Sequence, residues 1–128
     1  MMIGLTVSQA EERLLVERRK RSTLTETISG LERSHRTLKQ VFEGTQSRRN
    51  TFFGRALDIN LRDWQGATGN RFHSSNVETI NHSTRDYLTR LRNAISAIEH
   101  SIRDSNSTLT RTNIIISDLE RVIATGGI

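Results

Sequence analysis

No proline occurs anywhere in the 128 residues, and apolar residues return every third and fourth place along most of the chain. Proline is the residue that breaks a helix interior, so its absence leaves long helices permitted. The three-and-four spacing is that of one helix face and not the period of two that a strand shows. A single heptad frame started at Ala10 places one set of core positions at Ala10, Glu17, Leu24, Leu31, Leu38, Thr45, Phe52 and Ile59. Its second set is Leu14, Arg21, Ile28, His35, Phe42, Arg49 and Ala56. The frame predicts one continuous helix over about 8–62, with a coiled-coil-like seam. At about 1.5 Å per residue such a helix reaches about 80 Å. Ser8 and Glu11 have the S-x-x-E spacing of a capping box, which sets its expected start.

This first helix is poor in two respects. Glu17, Arg21, His35, Thr45 and Arg49 are polar at core positions, and Gly30, Gly44 and Gly54 fall inside it. Each helical glycine costs about 1 kcal/mol relative to alanine. Such a helix depends on packing, and its polar core positions can set register or partner choice at some cost in stability. A shorter helix broken near Gly44 is the competing reading. The second arm is cleaner. Leu88, Ile95, Ile102, Leu109, Ile116 and Ile123 alternate with Leu91, Ile98, Ser105, Thr112 and Leu119, and Val77 and Ile80 extend the pattern backwards. A second helix is expected over about 70–124, closed by Gly126-Gly127. The Ser/Thr/Asn-rich stretch 101–113 keeps the same spacing and is read as helix. No single seam can bury all of Ile114-Ile115-Ile116, so Ile114 or Ile115 is expected to face a second surface, with a partner helix as the natural occupant.

Between the two arms, in an expected turn over about 63–69, lies Trp64-Gln65-Gly66-Ala67-Thr68-Gly69-Asn70-Arg71-Phe72. It holds the only tryptophan. Gly66 and Gly69 supply the backbone freedom of a tight reversal, and Trp64 and Phe72 can close over it. The pattern W-x-G-x5-F, set between two proline-free helical arms, resembles the WXG family, the small early-secreted-antigen-like helical hairpins of type VII secretion. The resemblance covers the whole chain as architecture and these nine residues as motif. It implies an all-α antiparallel hairpin of two long helices, with Trp64 and Gly66 in the turn and Phe72 on the second helix, that pairs with a partner into a four-helix or larger bundle. The chain departs from the family in being longer than is usual there. It also lacks the tail signal, an aromatic followed four places later by an acid. Tyr87, Phe72, Phe53, Phe52 and Phe42 are followed at that distance by Leu91, Asn76, Leu57, Ala56 and Gln46.

Composition excludes more than it selects. The length fits a single domain, residues 1–128, and only 5% of the residues are aromatic, which suits a thin helical seam better than a globular core. There is no cysteine for a disulfide or thiolate metal site, and the four histidines have no clustered ligands, so neither metal nor cofactor is expected. His35, at a core position, is the one histidine placed to sense pH. No nucleophile elbow, P-loop or dinucleotide fingerprint occurs, and a two-helix hairpin offers no concave pocket, so the chain is read as no enzyme. There is no 18-residue apolar run to span a membrane, and the N-terminus has neither the basic nor the apolar region of a Sec signal peptide.

Two functions follow as expectations. Under the resemblance, the chain looks like the small helical adaptors of LXG toxins. Its partners would be the helical N-terminal region of such a toxin, a second small WXG-like protein, or both. The resemblance implies a protein that is cytoplasmic before export and can be co-secreted with its partner, in a Gram-positive bacterium. The residues expected to carry the partner interface are Leu24, Leu31, Leu38, Phe42, Phe52, Ile98, Ile102, Leu109, Ile115, Ile116 and Leu119. The alternative rests on the net charge of +5 and the run Arg18-Arg19-Lys20-Arg21: a basic homodimeric coiled coil on nucleic acid or an anionic surface. Against it, Glu11, Glu12 and Glu17 interrupt the basic residues, and no single stripe gathers them.

Overall fold

The computed structural model describes the backbone of residues 4–58 and 67–126, and the side chains of 4–54 and 75–126. It is all-α. Helix α1 spans Val7–Asp58 and helix α2 spans Ala67–Ala124, and the two pack against each other. The helix is unbroken at Gly30, Gly44 and Gly54, which removes the reading of a first helix ending near Gly44. Stretch 101–113 is helical throughout. Helix α2 starts three residues before the expected 70, so Ala67, Thr68 and Gly69, expected in the turn, are in the helix. The expected helix residues 59–62 lie outside the described residues.

The start of α1 corrects the expected cap. The Thr6 amide donates to Gln9 Oε1 at 3.0 Å, and the Gln9 amide donates to Thr6 Oγ1 at 3.1 Å. This is a reciprocal capping box of the T-x-x-Q form, two residues upstream of the Ser8/Glu11 pair. The Thr6 carbonyl already accepts the first helical bond, from the Ala10 amide at 2.9 Å. At the other end, Gly126 has φ of +79° and its amide donates to the Ile123 carbonyl at 3.1 Å. A glycine adopts that left-handed conformation at low cost, and it closes α2 as expected. The Thr125 hydroxyl satisfies the Arg121 and Val122 carbonyls.

The chain divides into two compact units, and both helices contribute to each. The first comprises residues 1–34 and 98–128, the second 35–97. In the first unit Ala10, Leu14, Ile116 and Leu119 form the buried core cluster, with Leu5, Ile115, Val122 and Ile123 packed on it. The early part of α1 therefore meets the late part of α2. Arg21 Nη1 reaching Asn113 Oδ1 at 3.5 Å continues the same antiparallel order. In the second unit Arg49 of α1 donates to Thr84 and Asn81 of α2, and the Arg92 guanidinium lies 5.4 Å from the Phe42 ring centre. The order is again antiparallel.

Burial follows the heptad frame closely. On α1 every frame position from Ala10 to Arg49 is buried or half-buried. On α2 every frame position from Leu88 to Ile123 is as well. The departures lie in the second unit. Phe52 is 39% exposed and Phe53 is half-buried in its place. Ile80 is exposed, and Asn81 and Thr84 take the seam. A straight helix of 3.6 residues per turn drifts about 20° per heptad against a frame of 3.5, so a frame followed for six heptads moves its last knob off the seam.

Candidate functional site

The expected turn motif falls on residues of which little is described. Trp64 and Gly66 lie outside the described residues, and Phe72 is in α2 with its side chain outside them. The expected partner interface divides by burial. Ile116 and Leu119 are 2% and 0% exposed and belong to the core within the chain, so their apolar surface is already used. Leu24, Leu31, Leu38, Phe42, Ile98, Ile102 and Leu109 are half-buried in the intrachain seams, each keeping one edge open to solvent. Phe52 is exposed, and its ring meets Phe53 edge-on at 5.2 Å. Of the isoleucine triplet, Ile115 packs on the first unit's core and Ile114 stands 58% exposed. Two apolar residues that the frame leaves out, Leu15 and Val16, are also more than half exposed. Leu15 and Val16 could have been found from the sequence: they follow Leu14 directly, and one seam cannot take three consecutive residues.

The seam chemistry differs along the chain. In the first unit the fully buried seam residues are apolar except for Glu17, 5% exposed, and Thr112, 3% exposed, and two further polar frame residues, Arg21 and Ser105, are half-buried. Glu17 Oε1 lies 3.4 Å from Lys20 Nζ one turn on, while Glu17 Oε2 is buried with no hydrogen-bond partner. An unsatisfied buried acceptor costs about 1–3 kcal/mol. In the second unit the seam is polar at Arg49, Asn81 and Thr84. Arg49 Nε donates to Thr84 Oγ1 at 3.1 Å, and its guanidinium stacks 4.8 Å from the Phe53 ring centre. This is the planar, always charged fork satisfied on several sides at once that lysine could not reproduce.

The frame also has two unlike flanks. In an antiparallel pair, the residue before each inner core position of one helix lies beside its counterpart on the other. In the first unit that flank carries Arg13, Lys20, Thr27 and Ser34 on α1, and Ser101, Thr108, Ile115 and Val122 on α2. Next to it on α1 run Val16, Thr23 and Gly30, one per heptad. The opposite flank of α1 carries charges of both signs, Glu11, Arg18 and Glu32. Within the two helices of the first unit, half-burial outside the frame falls on the first flank and the line next to it, at Gly30, Thr108, Ile115, Asp118 and Val122. A Cβ placed on Gly30 would meet only the tip of the Arg33 side chain, at 3.8 Å, so packing within the chain does not require glycine there.

Among the described residues no helix is long and apolar enough to cross a membrane, and no group of three potential ligands could hold a metal. The hollow along Thr110, Asn113, Ile114, Ser117, Asp118 and Arg121 is a wide-open furrow on one face of α2. Compared with known proteins, the chain matches no family model, no curated protein and no solved structure.

Proposed function

We propose that this chain is a targeting factor of a type VII secretion system. It is a small helical adaptor that binds the helical N-terminal region of an LXG-type toxin, a second WXG-like protein, or both, and presents the complex for export. The observation that carries this reading is W-x-G-x5-F, with Trp64 and Gly66 in the sequence between two long helices that pack antiparallel and Phe72 in the first turns of the second. The seams support it: polar residues at Glu17 and Arg49 and open apolar edges at Leu24, Leu38 and Phe42 suit a hairpin completed by further helices. Lacking an aromatic with an acid four places on, the chain is the member of the complex without an address. Neighbouring turns put those two groups on one helix face, where a receptor reads them together.

The test is export of the full chain from a type VII-competent cell in which the neighbouring helical proteins are deleted. The chain is expected to stay inside and to be released when one partner is restored. Export of the lone chain defeats the adaptor reading.

A further inference from the structure

We infer that one face of the second unit, marked by Phe52, Ile80 and Tyr87, is the docking surface for an acidic helix of another protein. This rests on the reading of the chain as one part of a helical complex, and it says which unit and which face the partner takes and what charge it brings.

Charge divides the chain along the same boundary as packing. Stretch 35–97 holds ten basic and five acidic residues, and the rest of the chain holds nine of each. The whole net charge of +5 therefore belongs to the second unit, and the first is neutral.

The second unit also leaves large apolar side chains uncovered on one flank. There the residues just before the inner core positions are Val41 and Arg48 on α1, and Ile80, Tyr87 and Ala94 on α2. Ile80 is 36% exposed and Tyr87 47%. Phe52 joins them. Phe53 enters the seam from the opposite flank, and the step of about 100° per residue turns Phe52 toward this one. Val41 and Ala94 are half-buried, so the flank is continuous with the intrachain seam, which is itself only half-buried at Leu38 and Thr45. A helix laid here covers three large apolar side chains and dries the seam beneath them.

Charge chooses the occupant. Among the described side chains no acid lies on this flank or on the line beside it. Glu43 and Glu78 stand on the opposite flank, and Asp86 on the outer side of α2. The charges of the face are Arg48 and Arg90, both exposed and neither ion-paired to a described residue. A second copy docked here would set these arginines against their own counterparts, within units that already carry the excess positive charge, so it is repelled. A polyanionic nucleic acid would meet the arginines but leave Ile80 and Val41 uncovered. A helix with an apolar stripe against Phe52, Ile80 and Tyr87, and Asp or Glu opposite Arg48 and Arg90, satisfies both requirements.

The experiment places a photo-crosslinking amino acid at Ser83, between Ile80 and Tyr87, or at Thr89 on the opposite flank as a control. Both positions are exposed. The full chain is used, within the cell that encodes it, and the joined segment is identified by mass spectrometry. The expected result is a heptad-patterned segment of another protein with an acidic excess, joined at Ser83 and not at Thr89. Tyr87→Gln should cut its yield at least tenfold, and so should Arg48→Glu with Arg90→Glu. Arg36→Glu with Arg85→Glu makes the same change of charge on the opposite flank and should keep at least half the yield. Tyr87 is exposed and glutamine is the better helix former, so thermal unfolding of the purified Tyr87→Gln chain should be unchanged or raised, which separates lost docking from lost fold. A second copy, a basic segment or nucleic acid joined at Ser83 overturns the proposal. So does a yield indifferent to Tyr87→Gln, or an equal loss from the two arginine pairs. If an acidic helical partner is joined at Thr89 instead, this face is wrong while the adaptor reading stands. If no helical protein is joined at either site, both fall.

Discussion

The two units are built from the same two helices, yet they bury different chemistry. The first closes over Ala10, Leu14, Ile28, Ile116 and Leu119, all buried. The second has Leu88 and Leu91 buried, and the rest of its seam is half-buried at Leu38, Phe42, Thr45, Arg49, Asn81 and Thr84. An unbroken frame therefore does not make an even core. Where the knobs are aliphatic on both helices, water is excluded. Where arginine meets asparagine and threonine, hydrogen bonds and ring stacking replace part of the hydrophobic term, and the seam stays partly wet. The first unit should hold the global stability of the fold, and the second should open locally at lower cost.

The largest test of that contrast is Leu119→Ala. Leu119 is fully buried in the first unit's core, and such a truncation costs about 2–5 kcal/mol in transfer and cavity terms. Urea unfolding should show that loss. Leu38→Ala, at a half-buried position of the second unit, should cost clearly less. Equal losses would erase the distinction between the units.

Glu17→Leu comes next and has the opposite sign. The change removes a buried carboxylate with an unsatisfied oxygen from an apolar seam, and Lys20 loses its partner without harm because it is half exposed. The first unit should gain about 1–3 kcal/mol. A lower melting temperature would mean that the Glu17–Lys20 contact contributes more than its burial costs.

Arg49→Ala probes the second unit alone. It removes the donors to Thr84 and Asn81 and the stacking on Phe53. A net loss of about 1–2 kcal/mol is expected from two half-buried hydrogen bonds. Amide exchange should quicken over 35–54 and 75–97 and change little in the first unit. Uniform acceleration along both helices would show that the chain opens as one body.

How much of this could be read from the sequence depends on what decides each position. Every frame residue from Ala10 to Arg49 and from Leu88 to Ile123 is in the seam, because helical period and heptad spacing are properties of the sequence itself. Phe52 against Phe53 could not be read the same way. It depends on accumulated helix drift, which a fixed frame ignores, whereas Asn81 stands one heptad before Leu88 and is in the seam by the frame itself, although Ile80 beside it is the more apolar. Ile116 and Leu119 are buried within the chain itself, and a seam pattern gives burial but not whether the covering helix belongs to the same chain. That Gly30 is unneeded by the chain's own packing is visible only with the second helix in place.

The smallest effect sits at the end of the first unit, where two capping signatures overlap. Thr6-x-x-Gln9 and Ser8-x-x-Glu11 both satisfy the capping-box spacing, and the sequence does not rank them. The reciprocal bonds between Thr6 and Gln9 choose the upstream one and draw Val7 into the helix. This places Leu5 just before the cap, where it packs on the core cluster with Ile115, Val122 and Ile123. A hydrophobic residue there fixes the direction in which the chain enters the helix. The cap thus joins the helix end to the better-packed unit. Thr6→Ala should cost about 1 kcal/mol, the usual loss for a cap hydroxyl. Ser8→Ala, inside the first turn and exposed, should be close to neutral. Amide exchange in the first turn reads the difference: Thr6→Ala should free the Gln9 amide, and Ser8→Ala should not. If Ser8→Ala is the more damaging change, α1 begins at Ser8, and the unit with the firmest core has a looser end than the Thr6 cap provides.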